Sequence, residues 1–382
     1  MRTERWTFAR RRSRRRFRTV VLALALAGAP GPSAAGASGA PPAPIAGRGL
    51  SIDPAAWSSF KDRFVTREGR VVDTANGRIS HSEGQGYGLL FAAAAGDRPT
   101  FERIWDWTRL ALRVRKDALF AWRWEPDVPV PVGDPNNATD GDILIAWALV
   151  EAAERWPDGP FRHAARRIAE EIGGRLVLWE AAGGPLIMPG LAGFGAGERS
   201  DGPVVNLSYW VFPAFARLAT VAPAFPWGRL EASGLDLVRR ARFGASRVPT
   251  DWIAMAGNRP RPAAGFPATL SYNAVRVPLY LAMAGQDDRA LYEAFATAWS
   301  DGDPVGLPIV DPFAGRTGER GGERMGEPGY AAIRALTACI ASGARVPASF
   351  ATPSPSENYY PAVLHILALS AARRTWPACL DR

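Results

Sequence analysis

The sequence predicts an all-α fold, a toroid of six helical hairpins of the (α/α)6 type, with an irregular helical bundle as the less specific alternative. Three observations predict it. Apolar residues recur at helical spacing in segment after segment, while strand-type alternation is rare. The segments are of two kinds, some apolar almost all round and others charged on one face, which suits an inner ring covered by an outer one. Clusters of Pro and Gly separate them and read as turns.

In chain order the predicted helices are Trp57–Thr66, Glu83–Ala95, Thr100–Leu112, Gly141–Arg155, Arg162–Gly173, Ser208–Val221, Trp227–Ala241, Tyr272–Ala284, Arg289–Trp299, Gly329–Ala341 and Tyr360–Ala371. Glu83–Ala95, Gly141–Val150 and Tyr272–Ala284 are apolar on nearly every side, the pattern of buried helices. Arg162–Gly173 and Trp227–Ala241 keep a charged face, the pattern of covering helices. Turn clusters fall at Ala181–Gly202, Asn258–Pro267, Asp301–Gly329 and Arg345–Ser356. In a toroid the inner helices aim their ends into one cleft, and each of the three buried-type helices begins near polar or acidic residues.

Charge argues against a nucleic-acid partner. The formal net charge is +9, yet residues 1–37 hold nine Arg and one Glu, so the rest of the chain is close to neutral. That N-terminal stretch reads as an export signal peptide. It has an Arg-dense start, a short apolar run from Thr19 to Ala29, and a small-residue cleavage site at Ala35-Gly36-Ala37. Ser13-Arg14-Arg15-Arg16-Phe17 matches the twin-arginine pattern, so the twin-arginine and general secretory routes both stay open. Residues 38–49, rich in Pro, Ala and Gly, read as a tether, and 50–382 as one catalytic domain. No later segment is long and apolar enough to span a membrane. The two cysteines, Cys339 and Cys379, are read equally well as a disulfide or as two free thiols. Three scattered His and no HExxH or CxxC spacing predict no metal and no cofactor.

The chemistry is carried by carboxylates. In Ala138-Thr139-Asp140-Gly141-Asp142 two acidic residues open an apolar helix, where free N–H groups and the helix dipole favour negative charge. Capping explains one of them better than both. Glu83 opens another apolar helix within Ser80-His81-Ser82-Glu83-Gly84-Gln85-Gly86-Tyr87-Gly88. A capping box between Ser80 and Glu83 is the local reading, and a partly desolvated general acid is the chemical one. The alternate glycines would let a backbone or a flat ligand come close. Asp251 follows Pro249-Thr250 and precedes Trp252, whose ring face suits a sugar. Trp122 and Trp124, alternating just upstream of Asp140, look like a glycan platform for one of the two. Tyr209, Tyr272, Arg276, Tyr359 and Tyr360 are polar-tipped residues near helix ends. Carboxylates, aromatics and one Arg, with no nucleophile elbow and no phosphate loop, match glycoside hydrolysis by an acid and a base or nucleophile.

The same residues carry a family resemblance. Ala138-Thr139-Asp140-Gly141-Asp142 with Ile145-Ala146, Ala148, Ala152 and Trp156 resembles the signature segment of glycoside hydrolase family 8. Ser82-Glu83-Gly84-Gln85 with Tyr87-Gly88 resembles its general-acid segment, and Pro249-Thr250-Asp251-Trp252 its general-base segment. Ser271-Tyr272-Asn273-Ala274 with Arg276, and Asn358-Tyr359-Tyr360, resemble two further cleft segments. Glu68-Gly69-Arg70-Val71 and Asp106-Trp107-Thr108 are similar to the subgroup of periplasmic endoglucanases associated with bacterial cellulose synthase. Asn273, Leu207 and Thr250 depart from the usual family residues.

The resemblance implies an (α/α)6 hydrolase that cuts β-1,4-glucan with inversion, in the periplasm or secreted, as part of cellulose biosynthesis or export. It implies Glu83 as acid, Asp251 as base and Asp140 as the residue that grips and helps distort the sugar. Trp122 or Trp124 would stack a glucosyl ring, Tyr209, Tyr359 and Tyr360 would contact substrate, and Tyr272 and Arg276 would support the base or its water. A cellulose chain is the implied partner, together with the synthase complex. The alternatives are the same fold and mechanism acting on xylan, lichenan or chitosan, and a non-catalytic glucan-binding assembly subunit.

Overall fold

Helices dominate because the apolar residues repeat with the period of one. The computed structural model describes residues 49–300, 306–314 and 324–380. The export signal expected over 1–37 and the tether over 38–49 lie outside the described residues, except Gly49. Eleven α-helices occur among the described residues: α1 (Pro54–Phe64), α2 (Ser82–Ala95), α3 (Arg98–Ala111), α4 (Thr139–Arg155), α5 (Phe161–Glu171), α6 (Phe212–Ala219), α7 (Trp227–Arg240), α8 (Arg276–Met283), α9 (Ala290–Ala298), α10 (Pro328–Ser342) and α11 (Tyr359–Thr375).

The two kinds of helix form two layers. Every residue of α4 from Thr139 to Val150 is buried, as is every residue of α11 from Pro361 to Ala372. These helices lie inside, with α2 against α4, α4 against α6, α6 against α8 and α8 against α11, and α1 touches both α2 and α11. Outside them α3 packs on α2, α5 on α4 and α7 on α6, while α9 packs on α10. In α5 the buried residues are Phe161, Ala165, Ile168 and Ala169, one stripe at helical spacing with charge elsewhere. This is the (α/α)6 architecture. The stripe and the all-round apolar helices share one continuous core.

Short strands supplement the helices at the loop end. β1 (Ser80–His81) pairs with β2 (Arg123–Trp124), and β3 (Val177–Leu178) with β4 (Leu186–Ile187). β5 (Val204–Val205), β6 (Ile253–Ala256) and β7 (Arg259–Pro262) form a three-stranded antiparallel sheet, and β8 (Leu307–Pro308) pairs with β9 (Arg324–Met325). The cluster Asn258–Pro267, expected to be all turn, therefore contributes a strand. Gly257, at φ 64°, makes the tight reversal that lets Arg259–Pro262 fold back on Ile253–Ala256.

Two helices start about four residues later than the periodicity predicts, each for a tertiary reason. α6 begins at Phe212 because Asn206 caps a separate 3-10 turn, Leu207–Tyr209, before it. α8 begins at Arg276 because the N–H groups of Ser271 and Ala274 are taken by the Asp251 side chain. Cys339 in α10 and Cys379, in the 3-10 turn Pro377–Cys379 after α11, form a disulfide with Cα atoms 5.9 Å apart.

Candidate active site

Two inner helices bring their N-termini together because glycine permits it. A Cβ on Gly141 would lie 2.2 Å from Ser82 Oγ and 2.7 Å from the Glu83 nitrogen; one on Gly86 would lie 2.5 Å from Leu144 Cβ. The alternate glycines of α2 thus admit protein: α4 at Gly86, and Val71 and Ile104 at Gly88. Glu83 sits in the first turn of α2 and Asp140 in the first turn of α4, where the helix dipoles favour carboxylates. The capping box expected between Ser80 and Glu83 is not formed. Ser80 Oγ donates to the Val71 carbonyl at 2.6 Å, and the cap of α2 is His81, whose Nδ1 accepts from the Gly84 N–H at 3.0 Å.

One guanidinium joins the two carboxylates. Arg276 Nη1 donates to Glu83 Oε1 and to Asp140 Oδ2, the latter at 2.9 Å. Its Nη2 donates to Ser208 Oγ at 2.9 Å and to Asn273 Oδ1 at 3.1 Å. The Tyr87 hydroxyl donates to the same Glu83 Oε1 at 3.0 Å and lies 2.5 Å from the Tyr280 hydroxyl. Both contacts on Glu83 fall on Oε1, so Oε2 is the oxygen left for other chemistry. Burial, then the Glu83 charge, push the Asp140 carboxyl up to about 6 against the pull of Arg276. Burial works against the Arg276 charge, yet Glu83 and then the surrounding acidic groups hold it well above the ordinary guanidinium range.

Asp142 faces away from this cluster. Its Oδ1 accepts from the Phe120 N–H at 2.9 Å and its Oδ2 from Asn137 Nδ2 at 2.8 Å. Asn137 in turn accepts from the Leu191 N–H at 2.9 Å. Asp142 therefore bolts the head of α4 to the two loops that carry residues 120 and 191.

The third carboxylate is held by backbone. Asp251 is 6 % exposed. Its Oδ1 accepts from Ser271 N at 2.9 Å and Ala274 N at 2.8 Å, and the Ser271 hydroxyl donates to its Oδ2. Residues 271–276 thus anchor all three carboxylates, Asp251 through Ser271 and Ala274, and Glu83 and Asp140 through Arg276. The resemblance implied Tyr272 and Arg276 as supports of the base or its water; in the structure Arg276 pairs with Glu83 and Asp140, and the Ser271 hydroxyl donates to Asp251.

This arrangement, two carboxylates on inner-helix ends and a third just before β6, all joined by residues 271–276, can be set beside known proteins. The family model for glycosyl hydrolases family 8 matches residues 46–373. The chain belongs to glycoside hydrolase family 8. An endoglucanase of Cellulomonas uda is 40 % identical over 227 residues, which is 59 % of this chain and 62 % of that protein's length. A probable endoglucanase of Novacetimonas hansenii is 36 % identical over 316 residues, 81 % of this chain and 88 % of that protein. Among solved structures, a family 8 endoglucanase from Klebsiella pneumoniae superposes with a TM-score of 0.74 at 33 % identity, covering 84 % of this chain and 99 % of that one.

Within this family 8 cleft the predicted aromatic residues divide. Trp122 is half-buried and donates from Nε1 to Asp134 at 3.0 Å. Trp124 packs edge-on against Trp107, with ring centres 5.6 Å apart, and under Arg70. The Arg123 guanidinium lies over the Trp122 ring at 5.7 Å, so each ring meets an arginine and Trp124 alone of the two also packs on another indole. Trp252 is stacked near-parallel on Phe194 at 5.5 Å and on Phe266 at 4.7 Å, so its ring is engaged by protein. Tyr209 tilts against Trp252, and Tyr272 packs edge-on against Tyr330, with the Tyr360 hydroxyl on the Tyr272 carbonyl at 2.8 Å. Tyr359, expected to contact substrate, is fully buried with its ring against Phe60, Phe64 and His81. It stands behind the site, because α11 is apolar on every side and its first turn is drawn into the core.

Four residues at the site carried no role in the sequence reading: Tyr87, Tyr280, Ser208 and Ser271. Tyr87 had a legible signal, since it lies four positions after Glu83 on the same helix face. Ser271 lies in a cleft segment the resemblance had already marked, while Ser208 and Tyr280 come from distant segments and had no such signal.

Proposed function

We propose that the chain is an endo-β-1,4-glucanase that hydrolyses cellulose-type glucan with inversion. Glu83 gives the proton on Oε2 to the glycosidic oxygen. Asp251 takes a proton from the water that attacks the anomeric carbon from the opposite face. Asp140, fixed by Arg276, holds the sugar on the non-reducing side of the bond. The observation that carries this reading is the common anchoring of all three carboxylates on residues 271–276. Acid, base and positioning residue then keep one geometry, as a concerted displacement requires. The endoglucanase names of relatives over most of the chain support the substrate class.

The glucan chain stacks one of its glucosyl rings on Trp122. Residues 1–37 are an export signal and 38–49 a tether, with the catalytic domain from 50 onward; the Arg-rich leader supports delivery to the periplasm or beyond. No helix among the described residues is long and apolar enough to cross a membrane. The protein acts on cellulose during its synthesis or export, beside the synthase complex.

NMR of the first anomer released from cellohexaose tests reaction and substrate together. An α-anomer is expected; an initial β-anomer overturns inversion. Reducing-end release should be greatest on carboxymethylcellulose when it is compared with lichenan, xylan and chitosan. Glu83→Gln and Asp251→Asn should each lose at least ~1000-fold in kcat, while Glu83→Gln still binds cello-oligosaccharides.

A further inference from the structure

His81 is an uncommon cap. Ser, Thr, Asp and Asn dominate N-cap positions because their oxygens accept hydrogen bonds at any ordinary pH. Here the acceptor is an imidazole nitrogen, and it accepts only while unprotonated. With Nδ1 accepting from Gly84, the ring proton must sit on Nε2. Nε2 faces Asp73 Oδ2 at 3.6 Å, with both side chains largely buried. Asp73 is itself fixed, accepting from the Ala75 N–H at 3.2 Å. Asp73, His81 and Gly84 thus form a relay that ends on the first turn of α2, one residue after Glu83.

We propose that His81 is a positioning residue: its unprotonated Nδ1 fixes the first turn of α2 and so aims Glu83, and protonation of the ring releases that turn. The inference rests on the reading of Glu83 as the acid. A second proton on the ring would set Nδ1–H against the Gly84 N–H, two donors facing each other, and the cap would be lost. The groups that face the ring come from four elements: Asp73 before β1, Glu83 on α2, Asp140 on α4 and the Tyr359 ring on α11. Burial resists the charge, but the Asp73 carboxylate 3.6 Å away and then Glu83 and Asp140 outweigh it, and the ring takes its proton at higher pH than an ordinary imidazole. The Tyr359 hydroxyl, buried and without a hydrogen-bond partner, adjoins the same turn: a Cβ on Gly84 would lie 2.9 Å from it and 3.4 Å from His81 Nδ1. It offers the protonated ring a new acceptor once the cap is broken. The enzyme then loses activity on the acid side as the His81 ring takes its second proton.

Two measurements on the full chain test this. The first is imidazole nitrogen NMR, simple here because the sequence holds only three His. The His81 signal, assigned by its loss in His81→Asn, should show the Nε2–H form at pH 8 and titrate above the ordinary midpoint of about 6.5. An Nδ1–H form overturns the proposal. The second is the pH–rate profile. His81→Ala should lower kcat about fivefold at neutral pH, the size of a lost cap, with KM within about twofold. His81→Asn, which caps without titrating, should recover most of that loss and move the acid limb down by about one pH unit. An unmoved limb in His81→Asn overturns the proposal even if His81→Ala fails to fold. If Glu83→Gln stays inactive while both His81 variants behave as wild type, this inference fails and the reading of Glu83 stands. If Glu83→Gln keeps its activity, that reading fails first.

Discussion

Arg276 donates from Nη1 to Asp140 Oδ2 at 2.9 Å, and both side chains are only 3 % exposed. The same nitrogen also serves Glu83. A buried cation shared by the buried Asp140 and the part-buried Glu83 cannot be removed without leaving the Asp140 charge unpaired in the core, at a cost of roughly 3–5 kcal/mol. Arg276→Met should lose about that much in urea unfolding and at least ~100-fold in kcat. Arg276→Lys keeps the charge but cannot reach Ser208 and Asn273 as well, and should fall between. Wild-type stability in Arg276→Met would show that the pair is not formed.

Ser271 and Asp251 give a second test. The Ser271 hydroxyl is the donor on Asp251 Oδ2, while backbone N–H groups hold Oδ1. Ser271→Ala frees Oδ2 and leaves the backbone bonds in place. We expect kcat to fall about tenfold with KM within about twofold. Steady-state kinetics on a soluble β-1,4-glucan decide it; an equal change in KM would assign Ser271 to substrate binding.

Asp142 should write its signature on stability. Burial pushes its carboxyl up to about 8, against the two hydrogen bonds from Phe120 and Asn137. A carboxyl raised on folding binds its proton more tightly in the native state. Its contribution is therefore complete below about pH 4 and is lost as pH rises through about 8. Urea melts of the wild type should weaken over this range by up to about 1.4 kcal/mol per pH unit from this one group. Asp140, raised to about 6, has the same sign but has titrated by then. The slope between about pH 6.5 and 8 should flatten in Asp142→Asn; an unchanged slope would assign it to another group.

Trp122 and Trp124 should separate by phenotype. Trp122→Ala removes the half-buried ring proposed to stack a glucosyl unit, and KM should rise about tenfold at unchanged melting temperature. Trp124→Ala removes a ring packed on Trp107 and Arg70. It should cost about 2–4 kcal/mol of stability, with a smaller effect on KM. The reverse pattern would exchange the two roles.

The disulfide closes a stretch with a sequence separation of 40. Chain-entropy arguments give about 4 kcal/mol for a loop of that size. Replacing both cysteines with Ser should lower urea-unfolding stability by an amount of that order and leave kcat unchanged, since neither cysteine is among the hydrogen-bond partners of the three carboxylates. Equal stability of oxidised and reduced protein would remove the bond's structural role.

The sequence by itself determined the helices and the family. All eleven predicted segments are helical, because burial on one face or on every face is written in local periodicity. The Ala138–Asp142 run and the segments around Glu83 and Asp251 were legible for a similar reason, since each is a short local pattern at a helix head or turn. The tertiary structure decided the partners. Arg276 chose Glu83, 193 positions away, and left Asp251 to Ser271. His81 displaced Ser80 as the cap of α2, Tyr359 turned into the core, and Trp252 gave its ring to Phe194 and Phe266. Periodicity reports how each helix meets its surroundings. Which side chains meet at the centre is fixed only when the helices pack around it, and at Gly86 and Gly141 two of them approach closely enough for carboxylates to share one guanidinium.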